Sequence, residues 1–207
     1  MKQKKNSSFL PHLISRNIKL LPLFIASFLA GLGAQMALHP GAQPGASAQP
    51  SIIQTRDFSC KACFTPSQAC LPMIISELDQ AKKTIQMQAY SLTSKPIAEA
   101  LVRAKTRGVS IIVLADKSQK RQRYTQINAL KRAGISVYID YKPAIAHNKI
   151  IIIDSLTVIG GSYNFSSSAE NRNAENVTII KNKEFAALYD ANFKKRLEVS
   201  NAFTSKT

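Results

Sequence analysis

The chain has 207 residues, room for one domain and an appendage, and it carries 28 Lys and Arg against 12 Asp and Glu, a formal net charge of +16. Five of those cations lie within residues 1–50, where no acidic residue falls, so residues 51–207 still hold 23 basic against 12 acidic groups, or +11. That excess favours a polyanion, either nucleic acid or an anionic lipid surface, over the plain alternative of a solvated basic surface, while only three histidines and no dense Asp/Glu cluster weigh against a metallohydrolase.

In chain order, a basic stretch ends at Lys19 and an apolar run follows from Leu20 to Ala34. The small residues A-S-A at 46–48 offer a signal-peptidase site before Gln49. An uncleaved membrane anchor over residues 20–38 is the competing reading, although Pro22, Gly31 and Gly33 interrupt it. Either way the folded part is expected to be exported, periplasmic or secreted, or held at the inner membrane. The Pro/Gly/Ala-rich stretch through residue 55 reads as a linker. The boundaries drawn are 1–48 for the targeting segment or anchor, 49–57 for a linker and 58–207 for the folded domain. Cys60, Cys63 and Cys70 follow, and in an oxidising compartment two of them can pair. The preferred pair is Cys63 with Cys70 around Pro66, leaving Cys60 over, but the sequence alone does not fix that choice.

From there helices and strands alternate. Leu71 to Lys83 has helical apolar spacing, and residues 84–90 alternate like a strand with Ile85, Met87 and Ala89 on one face. Ser94 caps a helix that carries Pro96 in its first turn and stops at Gly108. V-S-I-I-V-L-A at 109–115 is a buried strand, the segment 121–134 a helix ending on Gly134, and I-S-V-Y-I at 135–139 a strand. Lys149 to Ile153 and Thr157 to Ile159 are strands about a turn at Asp154 and Ser155; Val177 to Ile180 is another, and Glu184 to Glu198 a closing helix. This order predicts an α/β domain with helices on both faces of its sheet.

The chemistry gathers around the strand with four consecutive isoleucines. His147 and Lys149 are two apart and share a face, as do Ser162 and Asn164 on the next segment. If the segments lie side by side, an imidazole, an ammonium, a hydroxyl and an amide converge with no built-in negative charge, a set suited to a phosphate. Asp154 lies an odd seven residues from His147, so its spacing makes it a turn cap rather than a partner of that ring. Glu175, just ahead of a later strand, is the better candidate for the carboxylate that orients His147.

His147-x-Lys149-x4-Asp154 followed by Gly161-Ser162-x-Asn164 resembles the HKD signature of the phospholipase D superfamily. The strand Q-M-Q-A-Y-S-L-T-S and the segment S-A-E-N-R-N-A-E-N resemble its small, single-motif bacterial members, and the likeness covers roughly residues 58 to 198. The resemblance implies a mixed sheet flanked by helices on both faces. It also implies metal-free, cofactor-free phosphodiester hydrolysis through a phosphohistidine. In that scheme His147 does the chemistry, Lys149 and Asn164 grip the phosphate, and Ser162 belongs to the same pocket. Asp154 is carried as the signature's third catalytic member, and Glu175 is similar in position to the carboxylate that supports the histidine. The family mechanism uses two histidines. His12 and His39 fall in the targeting segment and linker, so the second imidazole is expected from another copy of the chain, in a homodimer with a shared site.

The substrate stays open between two classes. A basic stretch with Lys117, Lys120, Arg121 and Arg123, with K-K-R at 194–196, favours a nucleic-acid backbone and hence an endonuclease. A phospholipase D meeting an anionic bilayer is the alternative, and a non-catalytic polyanion-binding protein on the same scaffold a minor one.

Overall fold

The computed structural model describes residues 58–204. The targeting segment, the apolar stretch 20–38 and the drawn linker lie outside the described residues. Among the described residues no helix is long and apolar enough to cross a membrane.

Eight strands form one mixed sheet: β1 (Ser59–Thr65), β2 (Thr84–Ala89), β3 (Ser110–Asp116), β4 (Ser136–Asp140), β5 (Lys149–Ile153), β6 (Thr157–Gly161), β7 (Glu175–Lys181) and β8 (Asn201–Ala202). Their spatial order is β1-β7-β6-β5-β2-β3-β4-β8. β2, β3 and β4 run parallel, joined by α2 (Lys95–Thr106) and α3 (Ile127–Arg132); all other pairings are antiparallel. One face is covered by α1 (Cys70–Gln80), α2 and α3, the other by α5 (Lys183–Glu198). The run of isoleucines follows from this sandwich. Ile151 and Ile153 enter the core under the first three helices, while Ile150 and Ile152 enter the one under α5. A strand covered on both faces has no use for polar alternation, and each isoleucine taken out of water contributes roughly 1.5–3 kcal/mol.

The expected elements are largely present. Ser94 caps α2 by accepting from the Ile97 amide, Pro96 sits in the first turn, and Gly108 follows at φ +89°, where a side chain would be strained. The helix expected over 121–134 is shorter. Residues Lys117–Lys120 form a 3-10 turn, Tyr124 takes a left-handed φ of 66°, and α3 begins only at Ile127. The cause is a polar knot. Buried Gln119 accepts from the Leu92 amide and the Thr125 hydroxyl, donates to the Tyr90 carbonyl and also meets Gln122. These bonds hold 119–126 against the β2–α2 loop and keep it out of a helix. The sequence reading also lacked the edge strands β1 and β8 and the short α4 (Ser167–Asn171). Cys63 and Cys70 form a disulfide that joins β1 to the start of α1, with Cys60 free and exposed.

Candidate active site

One end of the sheet gathers every residue of interest except Asp154. The parallel strands β2 and β3 end there, β5 begins there, β6 ends there and β7 begins there. His147 is exposed in the loop just before β5. Its ring packs on Tyr90, the residue after β2, with centroids 4.5 Å apart and planes inclined by 56°. Lys149 is buried at 6% exposure; its ammonium donates to the His147 carbonyl at 2.9 Å and lies 4.9 Å from the Tyr90 ring centre. Tyr90 thus forms one wall for both side chains. Burial pushes the Lys149 ammonium below the ordinary lysine value, and the negative Glu175 opposes that shift. A phosphate arriving at this ammonium would favour the charged form.

On the neighbouring segment Gly161 turns the chain at φ +143°, and a Cβ there would strike the Asn176 carbonyl, so glycine is required. The turn presents Ser162. Its hydroxyl donates to Glu175 Oε2 at 2.5 Å and accepts from the Asn176 amide at 3.0 Å. The other Glu175 oxygen accepts from Asn173 Nδ2 at 2.9 Å. Glu175 is therefore seated by Ser162 and Asn173, and no hydrogen bond joins it to His147 among the described residues. Asn164 Oδ1 is buried without a hydrogen-bond partner among the described residues, an arrangement that costs free energy unless a ligand or water completes it.

Asp154 stands apart. It follows the last residue of β5, and at about 3.3 Å per residue that places it roughly 16 Å along the strand from Lys149. Its carboxylate accepts from the amides of Lys82, Lys83 and Thr84 at 2.9, 2.7 and 2.8 Å. Burial would push this carboxyl up, yet the three amides and nearby Lys83 outweigh it and hold it below the usual range. It joins the β5–β6 turn to the start of β2.

Asp116 emerges from the structure alone, and Lys117, expected only as part of a basic surface, gains a second role there. Asp116 ends β3 and is 1% exposed; it accepts from the Ser118 amide at 2.8 Å and from the Ala146 amide, adjacent to His147, at 2.7 Å. Burial acts to raise its carboxyl, but those hydrogen bonds and Lys117 prevail and keep it low. Lys117 donates to the Pro143 carbonyl at 3.2 Å, so this cation fixes the His147 loop as well as facing solvent. Of the expected basic surface, Lys120 and Arg121 line an open groove beside Tyr90, while Arg123 lies outside its lining and stacks on Tyr124. Lys194 pairs with Asp190, and Arg196 with buried Asp140, so K-K-R is partly structural. A charged residue ending a buried apolar strand was the available signal for Asp116, and an aromatic ending β2 the signal for Tyr90.

A sheet of this topology, whose convergent strand ends carry a histidine, a buried lysine, a serine and an unpartnered asparagine, defines a phosphoryl-handling enzyme of the phospholipase D type. The chain belongs to the phospholipase D superfamily: a family model described as cardiolipin synthase, PLD-like domain, matches residues 74–197. It is 41% identical over 152 residues to a phospholipase D of Rickettsia prowazekii, covering 73% of this chain and 74% of that one. It is 46% identical over 134 residues to a phospholipase D of Rickettsia conorii, covering 65% and 67%. The crystal structure of Nuc, a phospholipase D family member from Salmonella typhimurium, superposes with a TM-score of 0.68 at 33% identity, over 72% of this chain and all of that one. The protein is a phosphodiester hydrolase of this superfamily.

Proposed function

We propose that the enzyme cleaves nucleic-acid strands, acting as an endonuclease through a phosphohistidine at a site completed by a second copy of the chain. The observation that carries the substrate is the groove beside Tyr90, which opens next to His147 and is lined by cations and rings. In the first step a His147 nitrogen attacks phosphorus in line, the bond to the leaving oxygen breaks, and the partner's His147 protonates that oxygen. In the second the partner's His147 takes a proton from water, the water oxygen attacks phosphorus, and the phosphorus–nitrogen bond breaks. Lys149 neutralises the non-bridging oxygens, and the Asn164 amide completes the grip on the phosphate. His147 is the only histidine among the described residues, and it is exposed, as a ring shared across a two-fold axis must be. The Cys63–Cys70 disulfide supports an oxidising, exported setting. The test is cleavage of labelled single-stranded DNA, duplex DNA and RNA by the full chain in EDTA. Cleavage of at least one is expected; hydrolysis of phosphatidylcholine vesicles alone would overturn the substrate.

That second reading, a phospholipid-cleaving phospholipase D, draws on the Rickettsia relatives of 41% and 46% identity that bear this name. In it the same phosphate grip serves a head group and the basic rim faces an anionic bilayer.

A further inference from the structure

The groove beside Tyr90 holds about 840 Å³ and begins at the ring that packs on His147. Lys120, Arg121, Asn128, Tyr141, Ile145 and Phe203 line it. Tyr141 is 39% exposed, and the Lys120 ammonium lies 5.6 Å from its ring centre. Arg121 is exposed and makes no ion pair among the described residues. Asp116 is the acidic group in the lining, and its two oxygens accept from the Ser118 and Ala146 amides. The groove is also well braced: Lys117 and Asp116 tie the β4–β5 loop, which carries Tyr141, to the end of β3.

We propose that this groove is the subsite for the nucleotide next to the scissile phosphate, with its base stacked on Tyr141 and its outer phosphate held by Lys120 and Arg121. This rests on the nuclease reading and deepens it to one strand class. Bases of a single strand offer their faces to an aromatic platform, whereas those of a duplex are already stacked within the helix. Ile145 and Phe203 add apolar surface to the lining, but the cations Lys120 and Arg121 beside the Tyr141 ring suit a phosphate-bearing strand better than an acyl chain. The subsite therefore selects single-stranded over duplex nucleic acid.

The test compares wild type with Tyr141→Ala, Tyr141→Phe, Lys120→Glu and Arg121→Glu, all at solvent-facing positions. Each is assayed on a labelled single-stranded oligonucleotide, the matching duplex, bis(p-nitrophenyl) phosphate and phosphatidylcholine vesicles, with melting temperature as a folding control. Wild type should prefer the single strand. Tyr141→Ala should raise KM for it about 10-fold while Tyr141→Phe restores it. The two charge reversals should raise KM and flatten its salt dependence, by about 0.7 in log–log slope for each phosphate that is no longer neutralised. Turnover of bis(p-nitrophenyl) phosphate should stay within about twofold in the two charge reversals, since that diester has no outer phosphate. If wild type cleaves oligonucleotides but KM and salt slope are unchanged in all the variants, the subsite is wrong and the nuclease reading stands. If wild type cleaves the small diester or the vesicles and no oligonucleotide, the nuclease reading falls and takes the subsite with it.

Discussion

His147 sits on the surface with one face against Tyr90, so its removal should disable chemistry without opening the core. His147→Ala is expected to lower phosphodiesterase turnover by at least about 10³-fold. The same change should cost less than about 1.5 kcal/mol of stability, the scale of one tilted ring contact. Turnover of the purified variant and its urea midpoint check the two halves. Asp154 should behave in the opposite way. Its loss orphans three backbone amides, so Asp154→Ala should destabilise by about 2–3 kcal/mol. Turnover per folded molecule should be nearly unchanged. The pH dependence has a definite sign. The carboxyl is held low in the folded state, so its contribution is complete above the unfolded value of about 3.9 and lost as pH falls through the lower folded value. The gap between wild type and variant should therefore be flat from about pH 5 to 8 and close below about pH 4. These two residues also mark what was legible at this scale. Period-two spacing separated Asp154 from His147 without a structure. Tyr90 and Asp116 carried only a strand-end signal, because they reach the histidine loop only once β5 lies beside β2 and β2 beside β3.

Elements with a clear period and capping signals were the most readable. α2 has a serine cap, a first-turn proline and a terminal glycine, and its start and stop match the reading to within two residues. β5 is a buried apolar run, with Asp154 and Ser155 supplying its turn at positive φ. The segment after β3 misled because Gln119 and Gln122 look like helix formers, yet their amides bond across to the β2–α2 loop. β1 was missed because an edge strand with one buried face end carries little apolar signal; its burial alternates only over Cys63 to Thr65. What secures β1 to the helical layer is the disulfide, which closes a loop of seven residues' separation onto α1. The chain entropy that closing so short a loop removes from the unfolded state is worth about 2.5 kcal/mol. The double variant Cys63→Ser/Cys70→Ser should lose about that much stability in denaturant titration. It should also gain amide exchange along β1 before β5, since β1 pairs on one side alone while β5 is central. Uniform exchange along both strands would show that the bridge does not act locally.

The sheet order and the uncovered end where the strands converge belong to the whole molecule, and no local pattern specified them. The resemblance to a family compensated: it brought a fold, and with it the deduction that the domain's one histidine, His147, is half of a pair. That deduction has a quantitative consequence when active and inactive subunits are mixed. If each active centre draws one imidazole from either copy, a dimer with a single His147→Ala subunit has lost the nucleophile or the acid, and it is dead. Activity should then follow the square of the wild-type fraction, falling to about a quarter when half the subunits carry the substitution, whereas self-sufficient subunits would retain about half. The measurement needs co-refolded or exchanged mixtures, sedimentation to show that they are dimers, and turnover across the titration. A linear dependence, or full activity in a sedimenting monomer, would leave each chain with its own complete centre. A parabola would identify the exposed ring packed on Tyr90 as one of two that meet over the same phosphorus atom.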